Sequence, residues 1–206
     1  MNKYKTYCDT THKTNLWSPQ GAKSFTMDDE LYLDIIKKHF NPEERINSIL
    51  EFGPGTGKTA GNLINLFLPT SYTFVDLPEN LHNAKNHLGS AEPNKGYATD
   101  VPFPEVIPVP SSEYESIFNK PFDLFVEMNC LTETPEYYQQ NIMDHVFPNC
   151  KNVILFDGDG AKPEWVETML GWLSSLFHTV NVVEYRGAQK AILAQNPKKN
   201  EILNNN

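Results

Sequence analysis

Cysteine is scarce: Cys8, Cys130 and Cys150 are the only three in 206 residues, and no two of them form a C-x-x-C pair. A set that is odd in number and widely spaced argues against a zinc knuckle and against a disulfide scaffold, and it suits a reducing, cytoplasmic setting. Positive charge is also in short supply. Seventeen Lys and Arg stand against 26 Asp and Glu, for a net charge of −9. With no basic stripe to offset that balance, a nucleic-acid backbone is not an expected partner. No stretch approaches the ~20 apolar residues of a membrane span, and the opening MNKYKTYCDTTHK has no apolar core of signal-peptide length. A soluble chain without a membrane partner is expected, and there is no internal repeat.

What is present centres on Arg45 to Gly57, RINSILEFGPGTG. Ile46, Ile49, Leu50 and Phe52 read as a buried parallel strand, and Gly53, Gly55 and Gly57 on alternate positions allow a sharp turn and close approach of a ligand. The following helix, from Thr59 to Leu68, places Ala60, Leu63, Ile64 and Phe67 on one face. GPGTGKT at 53 to 59 looks like a phosphate-binding loop but is one residue short: counting back from Gly57, the required first glycine falls on Phe52. The alternative, E-x-G-x-G-x-G from Glu51 to Gly57, fits without a gap. A second β-rich run, Ser71 to Val75, ends in Asp76, 19 residues beyond Gly57, where a carboxylate would meet the ribose hydroxyls of a nucleoside.

The rest of the chain alternates strands and helices. A helix from Met27 to Phe40, with Thr26 as its cap, precedes the first strand, and another runs from Pro78 to Gly89. The third strand is either Gly96 to Thr99 or Val106 to Val109. The second choice is preferred because it leaves room for a short helix, Tyr114 to Phe118, and it places Ser111 or Ser112 by a bound base; the first would place Asp100 there. A fourth strand, Phe122 to Met128, is followed by Asn129-Cys130-Leu131-Thr132-Glu133 and a helix from Pro135 to Phe147. A fifth strand, Val153 to Phe156, ends in Asp157-Gly158-Asp159-Gly160. A helix opened by Pro163 carries Val166, Met169, Leu170, Leu173 and Phe177, and Val180 to Tyr185 with Ala191 to Gln195 reads as a closing hairpin. The expected organisation is an N-terminal arm and helix over 1–41, either a lid or an arm packed on the domain, an α/β domain over 42–197 and a disordered tail over 198–206.

The E-x-G-x-G-x-G segment resembles the first motif of class I S-adenosylmethionine-dependent methyltransferases. VDLPENL at 75 to 81 and FDLFVEMNCLTETP at 122 to 135 resemble sugar O-methyltransferases. The resemblance implies a Rossmann-like, seven-stranded sheet, mostly parallel with an antiparallel last strand. It implies S-adenosylmethionine as cofactor, held by Glu51, Gly53, Pro54, Gly55, Gly57, Asp76, Leu77, Ser111, Ser112 and Asn129. The [ND]-P-P-[FY] signature of base and amide methylation is missing after the fourth strand, so the implied acceptor is a small molecule or glycan, with a deoxyhexose such as rhamnose as the guess. Deprotonating a sugar hydroxyl calls for a base, and the candidates are Glu133, Asp157 and His145. Trp17 and Asp159 are candidate substrate contacts, and Trp17, Tyr114 and Tyr137 would suit stacking on a sugar ring. Asp157, Asp159 and Asn129 offer hard oxygen ligands for a divalent metal, a minority expectation. The competing classes are a small NTPase using Lys58, an NAD-dependent reductase, and a non-catalytic module on the same fold.

Overall fold

The apolar run before the glycines forms strand β1, Ser48–Phe52, in which Ile49, Leu50, Glu51 and Phe52 are all buried. The computed structural model describes residues 22–40, 44–55, 57–90, 104–156, 163–186 and 189–198, excepting the side chains of 22–30, 58, 65, 87, 89–90 and 185–186. The chain divides into two units, Met1–Glu113 and Tyr114–Asn206.

The first unit contains α1 (Ala22–His39), β1, α2 (Lys58–Phe67), β2 (Ser71–Asp76), α3 (Pro78–Ser90) and β3 (Glu105–Pro110). Its strands are parallel with β2 in the middle, Leu50 facing Thr73 and Thr73 facing Ile107 in register. Tyr32, Leu33, Ile35 and Ile36 of α1 are buried, as the helical spacing predicts, and Phe40 meets Phe67 edge to face with centroids 5.7 Å apart. The helix starts at Ala22, so Thr26 lies inside it instead of capping it; Ala22 and Lys23, both good helix formers, extend it toward the N-terminus. The preferred position of the third strand is the observed one. Its Pro108 and Pro110, which lack an N–H, are tolerated because β3 is an edge strand.

The second unit contains β4 (Phe122–Met128), α4 (Glu136–His145), β5 (Cys150–Phe156), α5 (Pro163–Leu176), β6 (Phe177–Arg186) and β7 (Gln189–Pro197). β4 and β5 are parallel, whereas β7 lies antiparallel between β5 and β6. The helix expected over Tyr114 to Phe118 is a 3-10 segment, Ser111–Ile117. Phe177, expected on the helical stripe, opens β6, where the β-branched Thr179, Val180, Val182 and Val183 favour strand. Lys198, expected in the tail, donates its backbone N–H to the Leu176 carbonyl at 2.8 Å; residues 199–206 lie outside the described residues.

The seven strands follow the order β3-β2-β1-β4-β5-β7-β6, with helices on the sheet, which is the fold class expected. The closing hairpin is present, but the antiparallel strand is interior and β6 takes the edge. Among the described residues no helix is long and apolar enough to cross a membrane.

Candidate functional site

In the first unit the candidate site is the turn from β1 into α2. Gly53, Gly55 and Gly57 have φ of 75°, 54° and 80°, left-handed values that explain glycine at each position. All three of their N–H groups are used within the protein. Gly53 donates to the Val75 carbonyl at 2.8 Å, Gly57 donates to the Pro54 carbonyl at 2.8 Å, and Gly55 donates to Asp76 Oδ2 at 2.9 Å. A Cβ at Gly57 would lie 2.9 Å from the Ala84 Cα, so this glycine lets α3 pack against the loop. Gly55 differs: among the described residues a Cβ there would meet nothing within 4 Å, so its Cα faces open space among them.

Two carboxylates flank the loop. Asp76 is partly exposed at the tip of β2; its Oδ1 accepts from the Leu77 N–H at 2.7 Å and from Asn80 Nδ2 at 2.9 Å, while Oδ2 holds Gly55. Asp76 therefore fixes both the loop and the start of α3. Glu51, two residues before Gly53, is 1% exposed and accepts from the Tyr72 hydroxyl at 2.9 Å. Burial pushes its carboxyl up to about 8; the Tyr72 hydrogen bond opposes that rise and the negative charge of Asp76 adds to it. Leu77 is half exposed beside Asp76. Pro110 faces Asp76 in the β2–β3 register, so Ser111 and Ser112 follow at the same end of the strands. Asp100, their alternative, lies outside the described residues.

In the second unit the carboxyl ends of β4 and β5 are joined by the Asn129 N–H, which donates to the Phe156 carbonyl at 3.2 Å. Asn129 has φ 61°, a left-handed conformation that Asn tolerates better than most residues. Glu127, fully buried, shapes the loop that follows: its Oε2 accepts from the Cys130 N–H at 3.0 Å and the Leu131 N–H at 2.9 Å. Leu131 is buried and opens a 3-10 turn to Glu133, which is exposed. Pro135 is the N-cap of α4, and no side chain, that of Glu133 included, makes a capping hydrogen bond to that helix.

His145 is not brought to this end. α4 runs back along β4, and the His145 carbonyl accepts from the Asn119 N–H at 3.1 Å, three residues before β4 begins; the His145 ring stacks on Phe118 at 4.8 Å. Open α/β sheets bind ligands at the carboxyl ends of their strands, and seven residues of β4 put His145 about 20 Å from that end. Tyr114 is also unsuited to its expected role. It is buried, bonded to Asn141 and packed on Tyr138 at 4.3 Å, whereas Tyr137 is 60% exposed. Trp17, Asp157 and Asp159 lie outside the described residues. Among the described residues no three His, Cys, Asp or Glu group as a metal site would require.

Sequence reading missed Tyr72 and Glu127. Glu127 could have been found as an acidic residue within an apolar strand, since a buried carboxylate must be hydrogen-bonded.

This strand order, with a glycine turn after the first strand and an acid at the tip of the second, defines the class I methyltransferase fold. No protein-family model and no curated protein sequence matches the chain. Solved structures do. An O-methyltransferase family protein from Burkholderia thailandensis superimposes with TM-score 0.60 at 10% identity, over 84% of this chain and 57% of that one. The mitomycin 7-O-methyltransferase MmcR gives 0.58 at 11% identity, over 93% of this chain and 60% of that one. TrmK of M. capricolum, solved with S-adenosylhomocysteine, gives 0.54 at 12% identity, over 82% and 68%. The chain thus spans somewhat over half the length of the first two.

Proposed function

We propose that the chain is an S-adenosylmethionine-dependent O-methyltransferase of the cytoplasm acting on a hydroxyl of a sugar or glycan. The observation that carries this reading is the use of the loop's amides. A phosphate cradle needs backbone N–H groups turned toward the ligand, whereas Gly53, Gly55 and Gly57 give theirs to Val75, Asp76 and Pro54. Asp76 stands beside the loop as a negative charge that would repel a polyphosphate, and Glu51 is a second acid next to it. They suit a cationic ligand carrying a ribose, and the open face of Gly55 leaves its backbone approachable. The charge of Asp76 likewise disfavours the pyrophosphate of NAD.

In this reading Glu51, Gly53, Pro54, Gly55 and Gly57 hold the amino-acid part of the cofactor. Asp76 takes the ribose hydroxyls, Leu77 lies on the base, and Ser111 and Ser112 bond its edge. Asn129, at the end of β4 in the second unit, is the remaining candidate contact. When bound, S-adenosylmethionine supplies an electrophilic methyl group on a sulfonium. The protein orients the acceptor oxygen, which is the larger contribution, and Glu133 takes the hydroxyl proton onto a carboxylate oxygen, worth about 10²- to 10⁴-fold. Asp157 is the second candidate base, Trp17 and Asp159 remain candidate acceptor contacts, and exposed Tyr137 is the aromatic offered for stacking. The sugar assignment is supported by the likeness of 75 to 81 and 122 to 135 to sugar O-methyltransferases.

Calorimetric titration with S-adenosylmethionine, S-adenosylhomocysteine, ATP with magnesium, and NAD tests the cofactor. Micromolar binding of the first two, lost in Asp76→Ala, is expected, whereas binding of ATP alone would overturn the reading. Radiolabelled methyl transfer to deoxyhexosides, compared with phenols and carboxylic acids, then tests the acceptor; transfer only to the latter two would overturn the sugar assignment.

A further inference from the structure

Glu51 combines features that seldom coincide in a merely structural acid. It is buried, it sits directly before the ligand-facing loop, and its hydrogen-bond partner is a neutral hydroxyl, that of Tyr72. The charge acting on it is negative, Asp76 at the tip of the same neighbouring strand. Across β1 and β2 Glu51 faces Phe74, which is fully buried and apolar. The described loop contributes only glycines and Pro54. A carboxylate ion in such surroundings costs several kcal/mol, and the way to avoid that penalty is to keep the proton.

We propose that cofactor binding is a proton-for-cation exchange at Glu51: the free protein holds Glu51 as the neutral acid, and binding of the cationic cofactor releases that proton to solvent. This rests on the cofactor reading above. The O–H bond of the carboxyl breaks, the electron pair stays on the carboxylate, the proton passes to water or buffer, and the positive charge of the ligand's ammonium group, which S-adenosylmethionine and S-adenosylhomocysteine share, replaces it. The exchange makes Glu51 a specificity-determining residue, because a neutral nucleoside offers no charge to displace the proton. Titration near 8 makes the exchange accessible at neutral pH, since only about one unit separates the two.

The test is calorimetry of the full chain with S-adenosylmethionine and S-adenosylhomocysteine at pH 6.5, in buffers of differing ionisation enthalpy. The expected result is an apparent enthalpy that varies with the buffer by close to one proton released, and an affinity that rises about tenfold from pH 6 to pH 7. The ligand's amine, with a pKa of about 7.7–8.0, would change the count in the opposite sense by taking up a proton. Glu51→Gln is expected to remove both dependences. Infrared difference spectra of the wild type provide a readout that needs no variant: the protonated-carboxyl band should vanish on binding. Binding with no buffer dependence, a retained carboxyl band, or proton release that persists in Glu51→Gln would each overturn the exchange while leaving the cofactor reading in place. Failure of both ligands to bind at any pH would remove the cofactor reading and the exchange with it.

Discussion

Gly57 and Gly55 are both left-handed, yet replacing each with alanine should give different phenotypes. At Gly57, φ is +80° and the new Cβ would lie 2.9 Å from Ala84 Cα and 3.1 Å from both Ala84 Cβ and its carbonyl oxygen. Those atoms belong to the middle of α3 and cannot swing aside as a flexible side chain would. Left-handed strain contributes about 1–2 kcal/mol and overpacking about 1–3 kcal/mol more, so Gly57→Ala should lose about 2–5 kcal/mol. At Gly55, φ is +54° but nothing lies within 4 Å of the added atom, which leaves the strain of about 1–2 kcal/mol alone. Urea unfolding with an unchanged m-value measures both. The folded Gly55→Ala protein should also bind S-adenosylhomocysteine at least tenfold more weakly, because its methyl group occupies the face proposed for the ligand. A loss below about 1 kcal/mol for Gly57→Ala, or equal losses for the two, would refute the packing argument; full-strength binding by Gly55→Ala would refute the cradle.

Glu51 predicts an unusual stability profile. The folded state binds its proton more tightly than the unfolded state, so stability is fully present below about pH 4.5, falls as pH rises through about 8, and is level above that. The slope is up to about 1.4 kcal/mol per unit, and chemical denaturation of Glu51→Gln over the same range should show it flattened. Glu127→Leu removes the acceptor for the Cys130 and Leu131 N–H groups, at about 1–3 kcal/mol each, whereas Glu127→Gln, which keeps a carbonyl oxygen, should lose less than half as much in urea unfolding. Asp76→Ala frees the Gly55 and Leu77 N–H groups together; S-adenosylhomocysteine affinity measured by calorimetry should fall at least tenfold, while Lys58→Ala should leave it unchanged.

The strands were legible where apolar runs had clear borders. β4 runs from Phe122 to Met128, as read from the sequence, because Pro121 and Asn129 bracket seven residues of strand character. The glycine turn and Asp76 were legible because backbone conformation there demands particular residues. What could not be read was set by partners distant in sequence. Tyr72 reaches Glu51 across 21 residues, and Asp76 reaches Gly55 across the same separation. His145 failed as a base for a directional reason: its helix carries it away from the carboxyl end of β4, and composition has no sense of direction. The border between α5 and β6 was misplaced at Phe177, where an aromatic residue suits the end of a helix and the start of a strand equally well.

The interior place of β7 sets an order on the making of this protein. β5 and β6 both exist before β7 has been synthesised, yet β6 has no described strand partner except β7, which joins the two through Asn152↔Gln195 and Thr179↔Gln195. Until residues 189–197 emerge, β5 therefore presents an unfilled apolar edge and β6 a valine-rich ribbon with nowhere to dock, the kind of surface that invites aggregation during folding. Closure of the second unit is timed by its own last strand, and a chain stopped before Gln189 would lack the keystone as well as the end.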